Sequence, residues 1–190
     1  MSQVGASSAH RAGPKHSSVG LRIRPCEVTD AAAVHEAVIS SRAELAPWMP
    51  WCTAEYGLED ARRWAQCAST DFKAGTACHF VVLSQGGQLL GACGLSALDA
   101  VNRRAELGYW VRSDCTGQGI ATAAGKLLAA WAFANTYLQR MEILVSTRNV
   151  ASQRVAERLG AQREALLRQR LCLPGGFHDA FLYVLLRDAG

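Results

Sequence analysis

The sequence predicts an α+β (α/β) fold, in which a central, mixed but mostly antiparallel twisted sheet of about seven strands is flanked by about four helices. Two periodicities lead to this prediction: apolar residues alternate in the strands and recur at three- and four-residue spacing in the helices. A third observation concerns connectivity. The strand at 105–111 is followed by a helix and then by a strand at 140–146, which predicts a parallel pair joined by a right-handed crossover.

The strands are predicted from short apolar runs bounded by turn residues. The first strand ends at Pro25, which suits the edge of a sheet. Two glycine turns, at 85–87 and 174–176, each join neighbouring strands in an antiparallel hairpin. The predicted strands span residues 21–25, 79–84, 88–98, 102–111, 140–146, 162–173 and 177–187.

The helices are predicted from apolar periodicity and from capping residues. Thr29 or Asp30 caps the first helix, and Asn149 caps the last one, which Gly160 closes. The predicted helices run from the first cap to about residue 41, over about 58–73, over 117–136 and over 149–160.

Composition predicts one folded domain with a tail. The chain has 190 residues, of which 49% are hydrophobic, enough for a single globular core. Residues 1–20 are rich in Ser, Gly and Ala and contain no acidic residue, so they are predicted to form a disordered, basic N-terminal tail. Residues 21–190 are predicted to form the single domain.

Charge and cysteine usage limit the partners and the compartment. Arg11 and Lys15 supply two of the four net positive charges, and the remaining charge is too small and scattered for a nucleic-acid surface. No run of eighteen apolar residues could cross a membrane. The seven scattered cysteines lack metal-ligand spacing and favour reduced thiols in the cytoplasm. We therefore expect a cytoplasmic protein, monomer or homodimer, without a metal, nucleic-acid or membrane partner.

A glycine turn at 116–121, with the sequence Thr-Gly-Gln-Gly-Ile-Ala, opens the third helix. A helix start carries unpaired N–H groups and partial positive charge, and glycines let an anion approach the backbone, so this turn suits a phosphate or pyrophosphate. The dinucleotide-binding fingerprint requires Gly or Ala where Thr122 stands. The P-loop requires four residues before its Gly-Lys pair, whereas five separate Gly119 from Gly125. Both patterns fit poorly.

The turn resembles the coenzyme A pyrophosphate loop of the GNAT acetyltransferases, whose pattern is Arg/Gln-x-x-Gly-x-Gly/Ala. Gly119 and Ala121 match, while Thr116 stands where the family usually has Arg or Gln. Downstream, Asn149 and Ser152 resemble the N-x-x-S start of the family's next helix. The resemblance covers about residues 21–187 and implies a three-layer GNAT-type fold with acetyl-CoA as cosubstrate.

Three further segments resemble the ribosomal-protein N-terminal acetyltransferases, the RimJ/RimL-like branch of that superfamily. They are Pro-Trp-Met-Pro-Trp at 47–51, Glu-Leu-Gly-Tyr-Trp at 106–110, and His178-Asp179 ahead of Tyr183. This resemblance implies direct transfer of an acetyl group from acetyl-CoA to a primary amine, in the first place the N-terminal α-amino group of a protein such as a ribosomal protein. Small amines, including polyamines and aminoglycosides, and a non-catalytic acyl-CoA sensor remain open.

The family resemblance also implies which residues contact acetyl-CoA. The backbone of 111–113 would pair with the pantetheine arm as a further strand does, and the amide near Val111 would donate to the thioester carbonyl. The implied contacts are Val111, Arg112, Ser113, Thr116, Gly117, Gln118, Gly119, Ile120, Ala121, Thr122, Asn149 and Ser152.

Two residues are candidates for proton transfer. Glu106, on the strand leading to the glycine turn, is the candidate base acting through a water; alternatively it is a solvated carboxylate paired with Arg103 or Arg104. Ser152 is implied to protonate the leaving thiolate, and its alternative role is that of a first-turn helix serine. Tyr109 is the rival acid, although strand parity puts it on the face opposite Glu106.

Other residues near these motifs have two interpretations each. Trp48 and Trp51 would either wall a substrate pocket or close a core edge. Cys115 suggests an acetyl-cysteine route, but the sequence nearby offers no histidine to activate it, which favours a small buried residue. His178 and Asp179 would form a substrate-side dyad or a pair at a hairpin tip.

Overall fold

All seven strands belong to one sheet in the computed structural model, which describes residues 20–187. Their order in the sheet is β1-β2-β3-β4-β5-β7-β6, so β1 lies at one edge, as predicted, and β6 at the other. The predicted tail lies outside the described residues except for Gly20. The strands are β1 (Leu21–Pro25), β2 (Cys78–Ser84), β3 (Leu89–Asp99), β4 (Arg104–Val111), β5 (Arg140–Ser146), β6 (Gln162–Leu173) and β7 (Gly176–Leu186).

The described residues form five α-helices, one more than predicted. They are α1 (Ala31–Ser40), α2 (Arg42–Leu45), α3 (Leu58–Ala74), α4 (Ile120–Asn135) and α5 (Val150–Leu159). The extra helix is the single turn α2, which arises because Ser41 leaves helical geometry, at φ −117° and ψ 11°. The buried Ser41 hydroxyl accepts a hydrogen bond from the amide of Ser113 at 2.9 Å, so a long-range contact fixes this break.

Helices cover both faces of the sheet and give the predicted three layers. On one face, α1 and α3 pack over Val81, Leu83 and Leu89. On the other face, α4 and α5 bury a second set that includes Leu107 and Met141. Strand alternation produces this division, because neighbouring residues such as Val81 and Val82 point to opposite faces and are both fully buried. A buried aliphatic side chain of this kind contributes about 1.5–3 kcal/mol of transfer free energy.

The strands β4 and β5 are parallel, as the crossover predicts, but they pair over only three positions, from Arg104 to Glu106. Beyond Glu106 they separate, because β4 continues along β3 to Val111 while β5 continues along β7 to Ser146. The Arg112 amide donates to the Leu90 carbonyl on the β3 side. Since successive amides of a strand point to opposite edges, those of Tyr109 and Val111 point toward the gap. We call this gap the β4–β5 slot.

Two absences concern the described part of the chain. No helix between residues 20 and 187 combines the length and the apolar character that crossing a bilayer requires. Within the same range, no three His, Cys, Asp or Glu side chains converge as metal ligands would. All seven cysteines are free thiols.

Candidate active site

The glycine turn leaves the start of α4 open. Gly117 and Gly119 adopt left-handed conformations, with φ of 75° and 80°, and Gly119 is the N-cap of α4. A Cβ atom at either glycine would meet no atom within 4 Å, so there is free space over the turn. No side chain caps this helix, which leaves its first amides available to an anion. The turn that is predicted to bind a phosphate therefore has open space over it and uncapped amides at the start of α4.

A groove of about 570 Å³ surrounds the turn, between β4, α4 and α5. The predicted coenzyme contacts that line it are Val111, Ser113, Thr116, Gly117, Gly119, Ile120, Ala121, Thr122, Asn149 and Ser152. Arg112 and Gln118 do not line it. The buried Arg112 guanidinium binds Asp114 and Glu36, and these hydrogen bonds raise its pKa, whereas the Gln118 amide group approaches the Asp114 carbonyl at 3.5 Å. Both side chains serve the structure of the loop.

Two basic residues of the groove were missed by sequence reasoning. Arg154 and Arg158 lie one turn apart on the exposed side of α5 and line the same groove as the glycine turn. Among residues 20–187, neither guanidinium has an acidic partner within ion-pair distance. Their spacing of four residues on a helix that follows Asn149 was visible in the sequence.

Tyr109 and Ser152 meet across the groove. The Tyr109 hydroxyl lies 3.1 Å from both the Oγ and the carbonyl oxygen of Ser152. The Ser152 amide in turn donates to Asn149 Oδ1 at 3.0 Å, which is the predicted N-cap. Burial raises the pKa of Tyr109 to about 12, so the phenol keeps its proton at neutral pH. The pair therefore lies on the α5 side of β4 with both hydroxyl protons present.

Glu106 lies on the face of β4 opposite Tyr109, as strand parity predicted. The partners predicted for its alternative role, Arg103 or Arg104, were wrong. Its carboxylate is 3.5 Å from the guanidinium of Arg170 on β6, whereas Arg104 binds Asp99 and Glu142. The β6–β7 register shifts between Leu167 and Leu171, at the position of Arg170. Arg170 is far from Glu106 in the sequence, so the neighbours of Glu106 in the chain could not indicate this partner. The Glu106 side chain is 34% exposed and so remains accessible to water.

One cavity contacts both candidate proton-transfer residues. It has a volume of about 360 Å³ and is lined by Glu106, Gly108, Tyr109 and Ser152, together with Trp48 and other residues. Glu106 and Tyr109 come from opposite faces of β4, so the cavity reaches both faces where β4 and β5 separate. The structure thus brings the two predicted catalytic residues to one space, which we call the central cavity.

Comparison with known proteins identifies the family. A model of the acetyltransferase (GNAT) domain matches residues 20–162. The chain is 34% identical over 176 residues to the putative ribosomal N-acetyltransferase YdaF of Bacillus subtilis (strain 168), covering 88% of this chain and 91% of that protein. The chain belongs to the GNAT acetyltransferase family. Both the predicted family and the predicted enzyme class, an N-acetyltransferase, are therefore confirmed.

Two further relatives extend the similarity of this GNAT enzyme to the predicted branch. The ribosomal-protein-serine acetyltransferase of Escherichia coli (strain K12) is 26% identical over 156 residues, covering 82% of this chain and 87% of that protein. A solved RimL, a ribosomal L7/L12 α-N-protein acetyltransferase in complex with coenzyme A, superposes with a TM-score of 0.85 at 25% identity, covering 92% of this chain and 97% of the other. The predicted GNAT fold and RimJ/RimL-like resemblance are confirmed.

The two tryptophans proposed to wall a substrate pocket lie in different places in this GNAT enzyme. Trp48 lines both the groove and the central cavity. Trp51 is 41% exposed and faces another cavity. The centroid of its ring lies 5.7 Å from the ring centroid of Tyr56 and 6.3 Å from that of Trp110. Only Trp48 is next to the candidate proton-transfer residues.

Cys115 and the His178-Asp179 pair have structural surroundings. Burial raises the pKa of Cys115, which favours the thiol over the nucleophilic thiolate, and no histidine lines the groove within the described residues. The buried His178 Nδ1 is 3.0 Å from Ser146 Oγ, and Asp179 accepts a hydrogen bond from the Gln169 amide at 2.8 Å. Cys115 therefore has no activating histidine in the groove among the described residues, while His178 joins β7 to β5 and Asp179 joins β7 to β6.

Proposed function

We propose that this GNAT enzyme transfers the acetyl group of acetyl-CoA to the N-terminal α-amino group of a protein, with a ribosomal protein as the first candidate. The observation that carries the proposal is the β4–β5 slot, which joins the glycine turn to the central cavity containing Glu106 and Ser152. The acceptor class rests on the relatives, because YdaF and the Escherichia coli protein are both named for ribosomal substrates.

Acetyl-CoA fits the groove by charge as well as by shape. The free amides at the start of α4 suit its pyrophosphate, and the space over Gly117 and Gly119 is where a side chain would otherwise lie. Arg154 and Arg158 bring two further positive charges to the same groove. Thr116 stands where the family usually has Arg or Gln, and we propose that the α5 arginines supply the side-chain contact that Arg or Gln would make.

The open edge of β4 would hold the pantetheine arm. The amides of Tyr109 and Val111 point into the β4–β5 slot, where an extended ligand can pair with them as a strand would. The Val111 amide is the candidate donor to the thioester carbonyl, whose oxygen gains negative charge as the acceptor attacks. The bound cosubstrate supplies an already activated acyl group, so positioning is the main task of this chain.

Proton transfers are assigned to residues on either side of the slot. An α-amino group has a pKa of about 8, so part of it is already neutral near pH 7 and a water held by Glu106 would accept the remaining proton. Ser152 would give its hydroxyl proton to the departing thiolate, and the Tyr109 hydroxyl would turn from the Ser152 carbonyl oxygen to the Ser152 Oγ and stabilise the oxygen that loses the proton. Cys115, kept as a thiol, would take no part, so attack is direct.

The test is a panel of acceptors incubated with acetyl-CoA, with release of free thiol as the measurement. Peptides copied from ribosomal-protein N-termini should be acetylated with higher kcat/KM than free lysine, spermidine or an aminoglycoside. Mass spectrometry of the product peptide should show the acetyl group on its first residue. Binding of coenzyme A by calorimetry, without turnover of any amine, would instead show a non-catalytic acyl-CoA sensor.

We further propose that residues 21–190 act as one acetyltransferase domain in the cytoplasm, as a monomer or homodimer, and bind neither nucleic acid nor metal. The seven free cysteines support a reducing compartment. Cell fractionation tests the location, and light scattering of the purified protein tests the oligomeric state. Activity unaffected by a chelator is expected if no metal takes part.

A further inference from the structure

A cavity of about 710 Å³ lies between α3 and the sheet, on the same side of β4 as Glu106, and the reaction proposed above does not use it. Four aromatic rings form much of its wall: those of Trp51, Tyr56, Trp64 and Trp110. Trp51 packs against both Tyr56 and Trp110, and Trp64 packs edge-on against His79. We call this space the aromatic cavity.

The charged groups of the aromatic cavity are all acidic among the described residues that line it. They are Glu55, Asp60 and Asp71, and no Lys or Arg lies in the wall. Asp60 accepts a hydrogen bond from the Gly57 amide at 2.9 Å and lies 3.6 Å from the guanidinium of Arg63, whereas Asp71 accepts a hydrogen bond from the Thr76 hydroxyl at 3.1 Å. His79 is the other titratable side chain that can become a cation, and burial lowers its pKa, so it is neutral at pH 7.

One face of α3 carries acidic and aromatic residues that line the aromatic cavity. Asp60, Trp64, Cys67 and Asp71 recur at four-, three- and four-residue spacing and all line the cavity. The electron-rich faces of tryptophan and tyrosine attract cations, and nearby carboxylates add attraction of the same sign. A phosphate or carboxylate ligand would be repelled by the same wall. The cavity therefore suits an organic cation.

The position of the cavity relates it to the acceptor. Glu106, Gly108 and Trp110 follow one another on one face of β4, so the aromatic cavity begins about 13 Å from Glu106 along the strand. Between them, a Cβ at Gly108 would meet nothing within 4 Å, so the space directly over Gly108 is open. An extended peptide advances about 3.3 Å per residue, and a lysine or arginine side chain adds its own length.

We infer that the aromatic cavity binds the cationic side chain of a lysine or arginine at the second or third residue of the acceptor. The inference rests on the proposed N-terminal acetylation and specifies its substrate class: proteins whose N-terminus is followed closely by a basic residue. The carboxylates attract the cation, the rings contact its alkyl chain and charge, and the α-amino group is thereby directed toward Glu106.

The experiment compares two peptides that differ only by one charge. One carries lysine at the second position and the other carries norleucine, which has a similar length and no charge. We expect the wild-type kcat/KM for the lysine peptide to exceed that for the norleucine peptide by about tenfold, which lies between the effects of an exposed and a desolvated cation–π contact. In the double variant Glu55→Gln/Asp71→Asn, the kcat/KM values for the lysine and norleucine peptides should become nearly equal.

The matched control is Glu59→Gln, which removes one charge from an exposed residue of α3 outside the cavity and should keep the tenfold ratio. A lysine peptide with a blocked N-terminus offers no α-amino group to acetylate. Its binding, measured by the change in tryptophan fluorescence, therefore tests the cavity without turnover. Equal turnover of the two peptides by the wild type would overturn the inference and leave N-terminal acetylation standing. Acetylation of spermidine with both peptides inert would overturn the protein acceptor and, with it, the inference.

Discussion

The hydroxyl oxygen of Tyr109 lies 3.1 Å from the Oγ of Ser152. This contact joins the middle of β4 to the first turn of α5 across the groove proposed for acetyl-CoA. Because burial raises the pKa of Tyr109 to about 12, the phenol keeps its proton. This proton can be donated to the carbonyl oxygen of Ser152 or to its Oγ. The contact thus gives Ser152 a partner that supports loss of its own proton, and the two residues can be tested as a unit.

We predict that Ser152→Ala lowers kcat by about 100-fold or more while the Kd for acetyl-CoA changes little. The physical reason is that protonation of the leaving thiolate is felt only in the transition state. Steady-state kinetics and calorimetry measure the two quantities. Asn149 still caps α5 in this variant, because the cap uses the Ser152 amide. A Kd that rises as much as kcat falls would make Ser152 a binding residue only.

The Glu106 prediction concerns the shape of a pH–rate profile. Glu106→Gln should lower the rate most below the acceptor's own pKa of about 8, where the protonated amine predominates and a base is needed. The loss there should be about 10²- to 10⁴-fold and should shrink at higher pH, where the amine is already neutral. Glu164→Gln, which alters a surface carboxylate bound to Arg140, is the control. Parallel profiles for Glu106→Gln and wild type would exclude the base role.

Gly119→Val should abolish acetyl-CoA binding by filling the space over the glycine turn. The control is Gly75→Val, because Gly75 also has a left-handed φ, 71°, and would also place its Cβ in open space, but it ends α3 outside the groove. Both variants carry the same type of backbone strain. Calorimetry with acetyl-CoA, alongside circular dichroism, should show native spectra for both and lost binding only for Gly119→Val. Equal affinities would remove the turn from the site.

The α5 arginines should account for part of the salt dependence of coenzyme binding. In the double variant Arg154→Gln/Arg158→Gln, we expect the Kd for acetyl-CoA to rise by about tenfold at low salt and to vary less with ionic strength than in the wild type. Arg168→Gln, at an exposed position of β6 outside the groove, should behave as wild type. An unchanged salt dependence in the double variant would mean that these side chains do not contact the phosphates.

A stability prediction follows from Asp30, whose buried carboxylate binds the Arg24 guanidinium at 2.6 and 2.7 Å and accepts from the Glu27 amide at 2.8 Å. Burial alone would raise the pKa of Asp30, but these hydrogen bonds lower it below its ordinary value. The stabilisation is therefore present above the unfolded pKa of about 3.9 and is lost as the pH falls through the folded value.

Asp30→Asn should lower the free energy of unfolding by about 2 kcal/mol at pH 7, measured by urea denaturation. The difference from wild type should narrow as the pH falls below the unfolded pKa of about 3.9 and through the lower folded pKa, because the folded carboxylate then takes up a proton. A constant difference from pH 7 to pH 2 would show that the charge of Asp30 is not what stabilises the fold.

Local sequence patterns were sufficient to predict the strands and most of the helices, because alternation and capping depend on residues that are close together in the chain. They could not show that β4 and β5 separate after Glu106, because that point is set by the pairing of each strand with its other neighbour. The partner of Glu106 was also out of reach, since Arg170 comes from the far edge of the sheet. By contrast, the stripe of Asp60, Trp64 and Asp71 on α3 was readable from its spacing alone.

The β4–β5 slot also has a consequence for solubility. An unpaired strand edge exposed to solvent can recruit a strand from another molecule and so start aggregation. In this protein the free amides of Tyr109 and Val111 lie inside the sheet, between two strands that converge at Arg104–Glu106, and α4 and α5 flank the opening. A strand from a second molecule could reach these amides only by entering between β4 and β5, which are already paired at Arg104–Glu106. The amides of Tyr109 and Val111 can therefore remain available to a ligand without exposing a strand edge that would start aggregation.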